Sequence, residues 1–510
     1  MGLPDLKTIG IMFLLVILSL SCNCDARMQK HLRFIGYSRS SSSSSSSHHR
    51  HHHNHHNHHH SSSRRKRTKK KSNKNQSNTP PSPSTSPSPS PSSPPPPIPT
   101  PTTPTRTKKK GTIFNVLDFG AKGGDGGSDD TKAFEAAWTA ACKVESSTML
   151  VPSDNTFFVG PISFSGPYCQ SNIVFQLDGT IIAPTSARLW GAGMLKWVEF
   201  TKLKDITIRG RGTIDGRGSV WWSSEDPFDE FSNDLTSSKM PHIKPTALRF
   251  YGSYNVVVTG IMIRNSPQCH LKFDNCVGVQ VYNTTISSPK ESANTDGIHL
   301  QNSKDVSIHH SRVGCGDDCV SIQTGCSDVE IHHVRCGPGH GISIGGLGKD
   351  KTKACVSNIT VHNVQLQGTM TGVRIKTWQG GLGSVKNVRF SNIQVDEVQM
   401  PIVIDQFYCD KKKCTNQSAA VALSGISYEN IKGTFTVKPV HLACSDSYPC
   451  SDISFSQIQL KPIKLRYHLY DVFCWHTYGL LLSQIIPPID CLQTGKPARN
   501  KIQSNPDSCL

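Results

Sequence analysis

The chain of 510 residues carries a formal net charge of +18, which would be typical of a nucleic-acid-binding protein if the charge were evenly spread. Residues 1–110 hold 18 Lys and Arg against 2 acidic residues, whereas residues 111–510 hold 37 against 35. Because the longer part is nearly neutral, the charge argues against nucleic acid as its partner and identifies a separate basic tail.

The first 26 residues predict a signal peptide. Lys7 supplies the positive start, residues 9–20 form a short apolar run, and Ala26 is a small residue suited to cleavage. A signal anchor is the alternative, but a membrane span needs about 20 apolar residues. We therefore expect a secreted protein with no membrane span.

Residues 27–110 predict a disordered tail. It contains a serine run (40–47), a histidine-rich stretch (48–60), a basic block (64–71) and a Ser/Pro/Thr segment (80–105). So little apolar surface cannot offset the entropy lost on ordering. The Ser-Pro-Pro-Pro-Pro motif at 93–97 resembles the motifs of plant cell-wall extensins. The tail is interpreted either as an electrostatic anchor to an acidic polymer or as a spacer or removable pro-segment.

The folded region is predicted to begin near Phe114, and residues 114–121 have the pattern of an opening strand. Residues 133–142 follow with the Ala, Phe and Trp spacing of one amphipathic helix. Asp129 and Asp130 precede this helix, where acidic caps are favourable. Almost no helix is expected beyond it.

Short β-branched runs with alternating aliphatic residues recur through the rest of the chain. They begin at Asp205, Asn255, Gly278, Asp305, Asp328, Asn358, Asn387 and Asp452. The closest starts lie 23 to 27 residues apart, which is typical of a solenoid. Short strands favour an all-β fold, a right-handed parallel β-helix (residues 111–510) whose open end the single helix would cap. A β-sandwich is the alternative, but its strands usually recur every 8–12 residues.

The cysteines agree with export. All sixteen that follow the signal lie between Cys142 and Cys509, and an even, distributed set predicts disulfides. A zinc site is the alternative, and only Cys315 and Cys319 have ligand-like spacing. Sequons for surface glycosylation occur at Asn283, Asn358 and Asn416.

Several polar residues are spaced by about one repeat. In a β-helix, such residues stack about 4.8 Å apart, so Asp296, Asp317 and His340 are predicted to form one column. The column would continue with Arg374, Lys376 and Tyr408. On a strand the two cations would point the same way and could bind a carboxylate, which indicates an acidic sugar polymer as the partner. Each motif alone is also compatible with an ordinary turn or strand face, and only the joint register favours function.

Clustered carboxylates suit glycoside hydrolysis, because one must donate a proton while another, ionised, activates water. Asp317 and Asp318 are adjacent and would diverge on a regular strand. Gly314 and Gly316 predict a local bend that turns both carboxylates toward the groove.

Four ordered motifs resemble those of polygalacturonases, pectinases of glycoside hydrolase family 28, and especially the plant members. They are Asn-Thr-Asp-Gly at 294–297, Gly-Asp-Asp-Cys at 316–319, Gly-His-Gly at 339–341 and Arg-Ile-Lys at 374–376. Tyr408 matches a fifth family position. The resemblance covers residues 114–490, with one departure at Ala293, where the family usually has proline.

The resemblance implies inverting hydrolysis of α-1,4-linked galacturonan by a cell-wall enzyme, a monomer that uses neither a metal nor another cofactor. Asp317 would be the general acid, Asp296 and Asp318 would activate water, and His340 would support the acid. The resemblance assigns substrate binding to Asn294, Arg374, Lys376 and Tyr408. It also implies a disulfide between Cys319 and Cys336.

Three alternatives stay open. A related hydrolase would act on a modified galacturonan such as a rhamnogalacturonan backbone. A pectate lyase on a similar solenoid would need calcium ligands and an arginine base. A wall-anchored pectin-binding protein with weak or no catalysis is favoured by the tail and opposed by the complete acidic set.

Overall fold

The computed structural model describes residues 111–190, 196–222, 240–410, 414–463, 471–498 and 509. The predicted signal peptide and the predicted tail lie outside these residues. In the described part of the chain, no helix is long and apolar enough to cross a membrane.

The described residues form strands almost throughout, with α1 (Thr131–Ala141) and α2 (Ser219–Trp222) as the α-helices. The strands are β1 (Ile113–Asn115), β2 (Asp125–Asp129), β3 (Thr148–Val151), β4 (Thr156–Phe158), β5 (Ile162–Ser165), β6 (Val174–Leu177), β7 (Thr180–Ile182), β8 (Lys196–Thr201), β9 (Lys204–Arg209), β10 (Thr213–Asp215), β11 (Thr246–Tyr251), β12 (Tyr254–Thr259), β13 (Met262–Arg264), β14 (Leu271–Asp274), β15 (Val277–Tyr282), β16 (Thr285–Ser287), β17 (Ile298–Gln301), β18 (Lys304–His309), β19 (Arg312–Gly314), β20 (Val320–Ile322), β21 (Ser327–His332), β22 (Arg335–Cys336), β23 (Ile342–Leu347), β24 (Lys353–Gln367), β25 (Thr371–Trp378), β26 (Leu382–Val398), β27 (Met400–Tyr408), β28 (Ala422–Phe435), β29 (Val440–Ala443), β30 (Cys450–Ser456), β31 (Gln459–Pro462), β32 (Phe473–Trp475) and β33 (Thr477–Leu481).

The strands stack as successive coils of a parallel β-helix. A coil such as β14–β16 places one strand in a sheet that has 11 strands within the described residues and two in a larger sheet of 22. The pairing is parallel, as in Val279 of β15 against Val306 of β18. Like residues therefore stack from coil to coil, and the inward aliphatic side chains form one continuous core. Parallel pairing overturns the β-sandwich alternative, which needs antiparallel sheets.

The residues that open the predicted repeats are the corners of the coils. Each has a positive φ between 53° and 71°, a conformation that glycine, asparagine and aspartate adopt most easily: Asp205, Asn255, Gly278, Asp305, Asp328, Asn358, Asn387 and Asp452. Side chains also bridge neighbouring corners, since the Asn358 amide donates to Asp328 at 2.9 Å and accepts from Asn387 at 3.2 Å. All eight predicted runs lie in strands of the larger sheet, and this prediction is confirmed.

The N-terminal end corrects one prediction. The opening strand β1 ends at Asn115, and a 3₁₀ turn (Val116–Phe119) follows instead of further strand. The Asn115 side chain accepts a hydrogen bond from the backbone N–H of Leu117, and this local bond favours a turn. Gly120, at φ 93°, closes the turn.

Helix α1 covers the first coils and begins two residues earlier than predicted. The Trp138 ring lies 5.1 Å from the ring of Phe164 and 5.7 Å from that of Phe200, between ring centroids. Asp130 is the N-cap residue but its side chain makes no capping hydrogen bond, and it is Asp129 that accepts from the N–H of Thr131 at 3.0 Å. Asp130 instead accepts from the N–H of Lys122.

The cysteines confirm the disulfide prediction. Six disulfides are present among the described residues: Cys142–Cys169, Cys319–Cys336, Cys355–Cys509, Cys409–Cys414, Cys444–Cys450 and Cys474–Cys491. The pair Cys319–Cys336 is the one that the resemblance implied. Because Cys319 is bridged, it has no thiolate to offer, and the zinc alternative at Cys315 and Cys319 is wrong.

The three sequon asparagines are exposed. Asn283 and Asn358 stand at coil corners with positive φ, and Asn416 follows the Cys409–Cys414 loop. Exposure is what a glycosylation acceptor needs, and the modification itself stays a prediction.

Candidate active site

The candidate site lies on the 11-stranded sheet, at the residues that lead into consecutive strands. Ile298 of β17 pairs with Val320 of β20, which pairs with Ile342 of β23. Asp296, Asp318 and His340 each precede these paired residues by two positions and so occupy the same place in successive coils. The predicted column is therefore corrected, because its middle member is Asp318 and Asp317 stands one residue before it.

Asp317 is nevertheless held at the site by its neighbours. Its Oδ1 accepts a hydrogen bond from the backbone N–H of Asp318 at 2.8 Å and lies 2.8 Å from Nδ1 of His340. The backbone N–H of His340 also donates to the carbonyl of Asp317 at 2.7 Å. The link between Asp317 and His340 that the resemblance implied is present.

Gly316 makes the bend that brings the two carboxylates together. A Cβ on this residue would lie only 1.8 Å from the carbonyl oxygen of Ser292, so no other residue fits without a backbone shift. The N–H of Gly316 donates to Oγ1 of Thr295 at 2.9 Å, which ties the Gly-Asp-Asp-Cys motif to the Asn-Thr-Asp-Gly motif.

Asp318 is surrounded by cations. Arg374 Nη2 lies 2.6 Å from its Oδ1, Lys376 Nζ lies 2.9 Å from its Oδ2, and Ser343 Oγ donates to Oδ1 at 2.7 Å. The two cations project from β25 on the same side, as predicted, with Ile375 buried between them. Arg374 is only 1% exposed, and its guanidinium is directed at Asp318.

Asp296 is held by two residues that the sequence analysis did not identify. Nδ1 of His299 lies 2.8 Å from its Oδ2, and Sγ of Cys269 lies 3.8 Å from the same oxygen. All three side chains are buried. Strand alternation could have indicated His299, because Ile298 points into the core and the next residue must then face the groove. No sequence pattern indicated Cys269, which comes from the preceding coil.

The environment separates the acidities of Asp296 and Asp317. Burial, together with the negative charge of Asp317, raises the pKa of Asp296 to about 6, although His299 opposes this. Burial also acts to raise the pKa of Asp317, but the positive charges of His340, Lys376 and Arg374 outweigh it and hold this pKa below its usual range. In the unliganded site a proton therefore resides more readily on Asp296 than on Asp317.

Tyr408 and Asn294 border the site. Burial raises the pKa of Tyr408 to about 12, so the phenol is neutral, and Lys376 Nζ lies 5.3 Å from its ring centroid. The ring also packs edge-on against Trp378, with centroids 5.4 Å apart. Asn294 is 7% exposed and has φ 60° at the turn into the Asn-Thr-Asp-Gly motif.

Two groups of three His, Cys or Asp side chains in the described residues have ligand atoms close enough together to share a metal ion. They are Asp317, Asp318 and His340, and separately Cys269, Asp296 and His299, with one ligand atom of each residue within 4.8 Å of the others. Both sets belong to the site described above. The ligand atoms of both sets are engaged in the hydrogen bonds and ion pairs described above.

The arrangement has the parts of an acid and base catalyst. Three buried carboxylates stand together, one with a raised pKa and one with a lowered pKa, and cations and an imidazole surround them. Such a set can present a protonated and an ionised carboxyl group at the same mildly acidic pH.

Comparison with known proteins agrees with this chemistry. The family described as glycosyl hydrolases family 28 matches residues 142–467. The chain is 42% identical over 354 residues to a polygalacturonase of Cryptomeria japonica, which covers 68% of this chain and 67% of that protein. It is 40% identical over 380 residues to a probable polygalacturonase of Arabidopsis thaliana, which covers 74% of this chain and 83% of that protein.

Solved structures share the fold. The polygalacturonase of Erwinia carotovora superposes with a TM-score of 0.55 at 24% identity, over 72% of this chain and 97% of that chain. The endo-xylogalacturonan hydrolase of Aspergillus tubingensis superposes with a TM-score of 0.60 at 22% identity, over 76% of this chain and all of that chain. With the family match spanning most of the described region, the chain belongs to glycosyl hydrolase family 28.

Proposed function

We propose that the chain is a polygalacturonase that hydrolyses α-1,4-galacturonosyl linkages of pectin by an inverting acid/base mechanism. The observation that carries the proposal is the convergence of Asp296, Asp317 and Asp318 with His340 and two buried cations. Three carboxyl groups supply both a proton donor and a base, and the cations suit a substrate whose every sugar bears a carboxylate.

In this mechanism Asp317 donates the proton to the leaving oxygen. Asp296 and Asp318 accept a proton from the attacking water. The lowered pKa of Asp317 opposes its role as proton donor. Substrate binding counters this effect. A bound galacturonate brings negative charge near Lys376 and excludes water from the site, and both effects raise the pKa of Asp317.

The raised pKa of Asp296 favours a second assignment, in which Asp296 donates the proton and Asp317 is a base. Both assignments use the same residues and give the same product. They differ in which carboxyl group must be protonated when substrate binds, and the pH profiles of single variants distinguish them.

Substrate binding is assigned to Lys376, Tyr408 and Asn294, with Arg374 acting through Asp318. Lys376 is the more accessible of the two cations, at 7% exposed against 1% for Arg374. A substrate carboxylate would share Lys376 with Asp318. The neutral phenol of Tyr408 would donate a hydrogen bond beside it.

The setting of the enzyme is part of the proposal. We infer a secreted monomer of the plant cell wall, retained there through the basic tail. Deleting residues 27–110 tests the retention: salt-sensitive binding to wall material should vanish. If retention in low salt is unchanged, the electrostatic anchor is wrong and the tail is a spacer or pro-segment.

The test of activity is the release of reducing ends from polygalacturonic acid, with viscosity followed in parallel. Asp317→Asn should lower kcat by about 10³-fold with little change in KM. Asp328→Asn is the matched control, because the same chemical change is made at an exposed coil corner where the next coil already has Asn358. This control should keep full activity.

Each outcome has a defined meaning. A rapid early fall in viscosity would mark cutting within the polymer rather than from its ends. Products that contain an unsaturated sugar, detected by its ultraviolet absorbance, would indicate a lyase and overturn the proposal of a hydrolase. Binding of the polymer without sugar release at any acidic or neutral pH would favour the pectin-binding alternative.

A further inference from the structure

A cluster of histidines lies outside the candidate active site, on the outer face of the 22-stranded sheet. Vicinal pairs end two neighbouring strands: His309 and His310 at β18, and His332 and His333 at β21. The strands pair in register, so His309 stands directly against His332. The first member of each pair is half-buried and the second is exposed.

The imidazoles are stacked and paired at the same time. Ring centroids lie 4.9 Å apart between His309 and His332, and also between His310 and His333, with nearly parallel planes. Within each pair the two Nδ1 atoms face each other, at 2.9 Å in the first and 2.8 Å in the second. Four nitrogen atoms of the same kind therefore meet at one patch of surface.

Each vicinal pair can hold either one hydrogen atom or one metal ion between its two Nδ1 atoms. At 2.9 Å only one of two facing Nδ1 atoms can carry hydrogen, and protonation of both rings would set two N–H groups against each other. The facing nitrogen atom without hydrogen has a free lone pair, which is the group through which imidazole binds metals.

The spacing indicates the class of metal. Two nitrogen atoms 2.9 Å apart, each about 2.0 Å from an ion, subtend about 90° at that ion. This angle suits the tetragonal geometry of Cu²⁺ or Ni²⁺ better than the wider tetrahedral angle of Zn²⁺. The Glu330 carboxylate is engaged by the next imidazole of the column, at 3.1 Å from Nε2 of His362, so the chelate is formed by the histidine nitrogen atoms alone.

We propose that His309, His310, His332 and His333 form a surface site for a divalent transition-metal ion of the copper or nickel class. Each vicinal pair acts as a two-nitrogen chelate, and the two chelates lie on neighbouring coils. The site lies on a different sheet from the candidate catalytic residues, and it does not depend on the proposed pectin hydrolysis.

The alternative is that the rings only stack as part of the coil-to-coil ladder. Tyr282 and His362 extend the same column on either side, and a ladder of this kind needs no ligand. The vicinal partners distinguish the two interpretations, because stacking does not require two Nδ1 atoms to face each other.

The experiment is histidine footprinting of the full chain with diethyl pyrocarbonate, read by peptide mass spectrometry with and without Cu²⁺. Histidines of the tail appear in separate peptides and do not confuse the result. At Cu²⁺ well above the dissociation constant, modification of the four cluster histidines should fall by about tenfold or more. Exposed His242 serves as the internal control and should react equally in both samples.

The matched variant is the double substitution His310→Asn and His333→Asn. Asparagine already occupies this corner position in neighbouring coils, at Asn283 and Asn363, with the same positive φ, so the fold should be preserved. Copper should then no longer protect His309 and His332. Unchanged reactivity of the wild-type cluster in Cu²⁺, or protection that persists in the double variant, would overturn the proposal.

Discussion

Nδ1 of His299 lies 2.8 Å from Oδ2 of Asp296, and neither side chain is more than 1% exposed. His299 thus contacts one of the three carboxyl groups of the site, from the position in its coil that Arg374 occupies three coils later. It is a positioning residue, since it acts on the reaction through Asp296.

His299→Gln should shift the pH profile of activity. Burial raises the pKa of Asp296 to about 6 and His299 opposes this, so removal of the imidazole should raise the pKa of Asp296 further. If Asp296 is a base, its ionised form is needed, and the acidic limb of the profile should move to higher pH. The measurement is kcat/KM for polygalacturonic acid between about pH 3 and 8.

The direction of that shift also decides between the two assignments. Movement of the basic limb to higher pH, with a fixed acidic limb, would identify Asp296 as the proton donor. An unchanged profile with lower kcat would show that His299 only supports the local packing.

Arg374→Gln should destabilise the protein as well as inactivate it. The substitution leaves Asp318 buried with one cation fewer, and an uncompensated buried charge costs about 3 kcal/mol or more. Arg389→Gln is the matched control, because Arg389 pairs with Glu429 at the same 2.6 Å but both side chains are largely exposed. That change should cost less than about 1 kcal/mol.

Urea denaturation of both variants provides the measurement. Equal losses in the free energy of unfolding would show that the buried pair contributes no more than an exposed one. A stable but inactive Arg374→Gln would instead favour direct contact between this residue and substrate.

Gly316→Ala should abolish most activity. The added Cβ would lie 1.8 Å from the carbonyl oxygen of Ser292, so the backbone must move and carry Asp317 and Asp318 with it. A misplacement of about 1 Å is expected to cost about 10²-fold in kcat.

Gly160→Ala is the control for this change, since the nearest atom there is the Thr131 hydroxyl oxygen at 3.3 Å and the backbone is not left-handed. Reducing-end release and the unfolding temperature should be measured for both. Wild-type activity in Gly316→Ala would show that the backbone can move to accommodate the added Cβ without displacing Asp317 and Asp318.

The protein should become less stable as the pH falls, because the buried His270 resists protonation in the folded state. His270 is buried, with Nδ1 2.8 Å from the carbonyl oxygen of Asp296 and Nε2 2.7 Å from Oγ of Ser288, and burial lowers its pKa to about 4. In the unfolded chain His270 binds its proton near pH 6.5. The stabilising contribution of the neutral imidazole is therefore complete above pH 6.5 and is lost progressively as the pH falls toward 4. The loss amounts to about 3 kcal/mol at most.

The measurement is the unfolding temperature from pH 7 to pH 4 for wild type and His270→Gln. The wild type should show the steeper fall with decreasing pH, because the variant has no imidazole to protonate. His242→Gln, at an exposed position, should follow the wild-type slope. Parallel slopes for wild type and His270→Gln would contradict the prediction.

The sequence by itself determined the solenoid and most of the site. Polar residues such as Asp305 and Asn358 recur at nearly one-coil spacing because each coil turns through a left-handed corner that few residue types adopt. The alternation after each corner assigns side chains to the core or the surface, and so Arg374 and Lys376 could be placed on one side of β25. The motifs around Asp296, Asp317 and His340 could be recognised because their residues and their order resemble those of a known family.

The tertiary structure alone decided the register and the partners. Asp318, not Asp317, shares a column with Asp296 and His340, because the hydrogen-bonded pairing of Ile298, Val320 and Ile342 sets the register and the length of each coil varies. Cys269 and Asp296 meet only because the coils stack, and stacking brings together residues that are 27 positions apart in sequence. Charge pairing likewise depends on three-dimensional distance, which is why the binding of Asp318 by Arg374 and Lys376 was not foreseen.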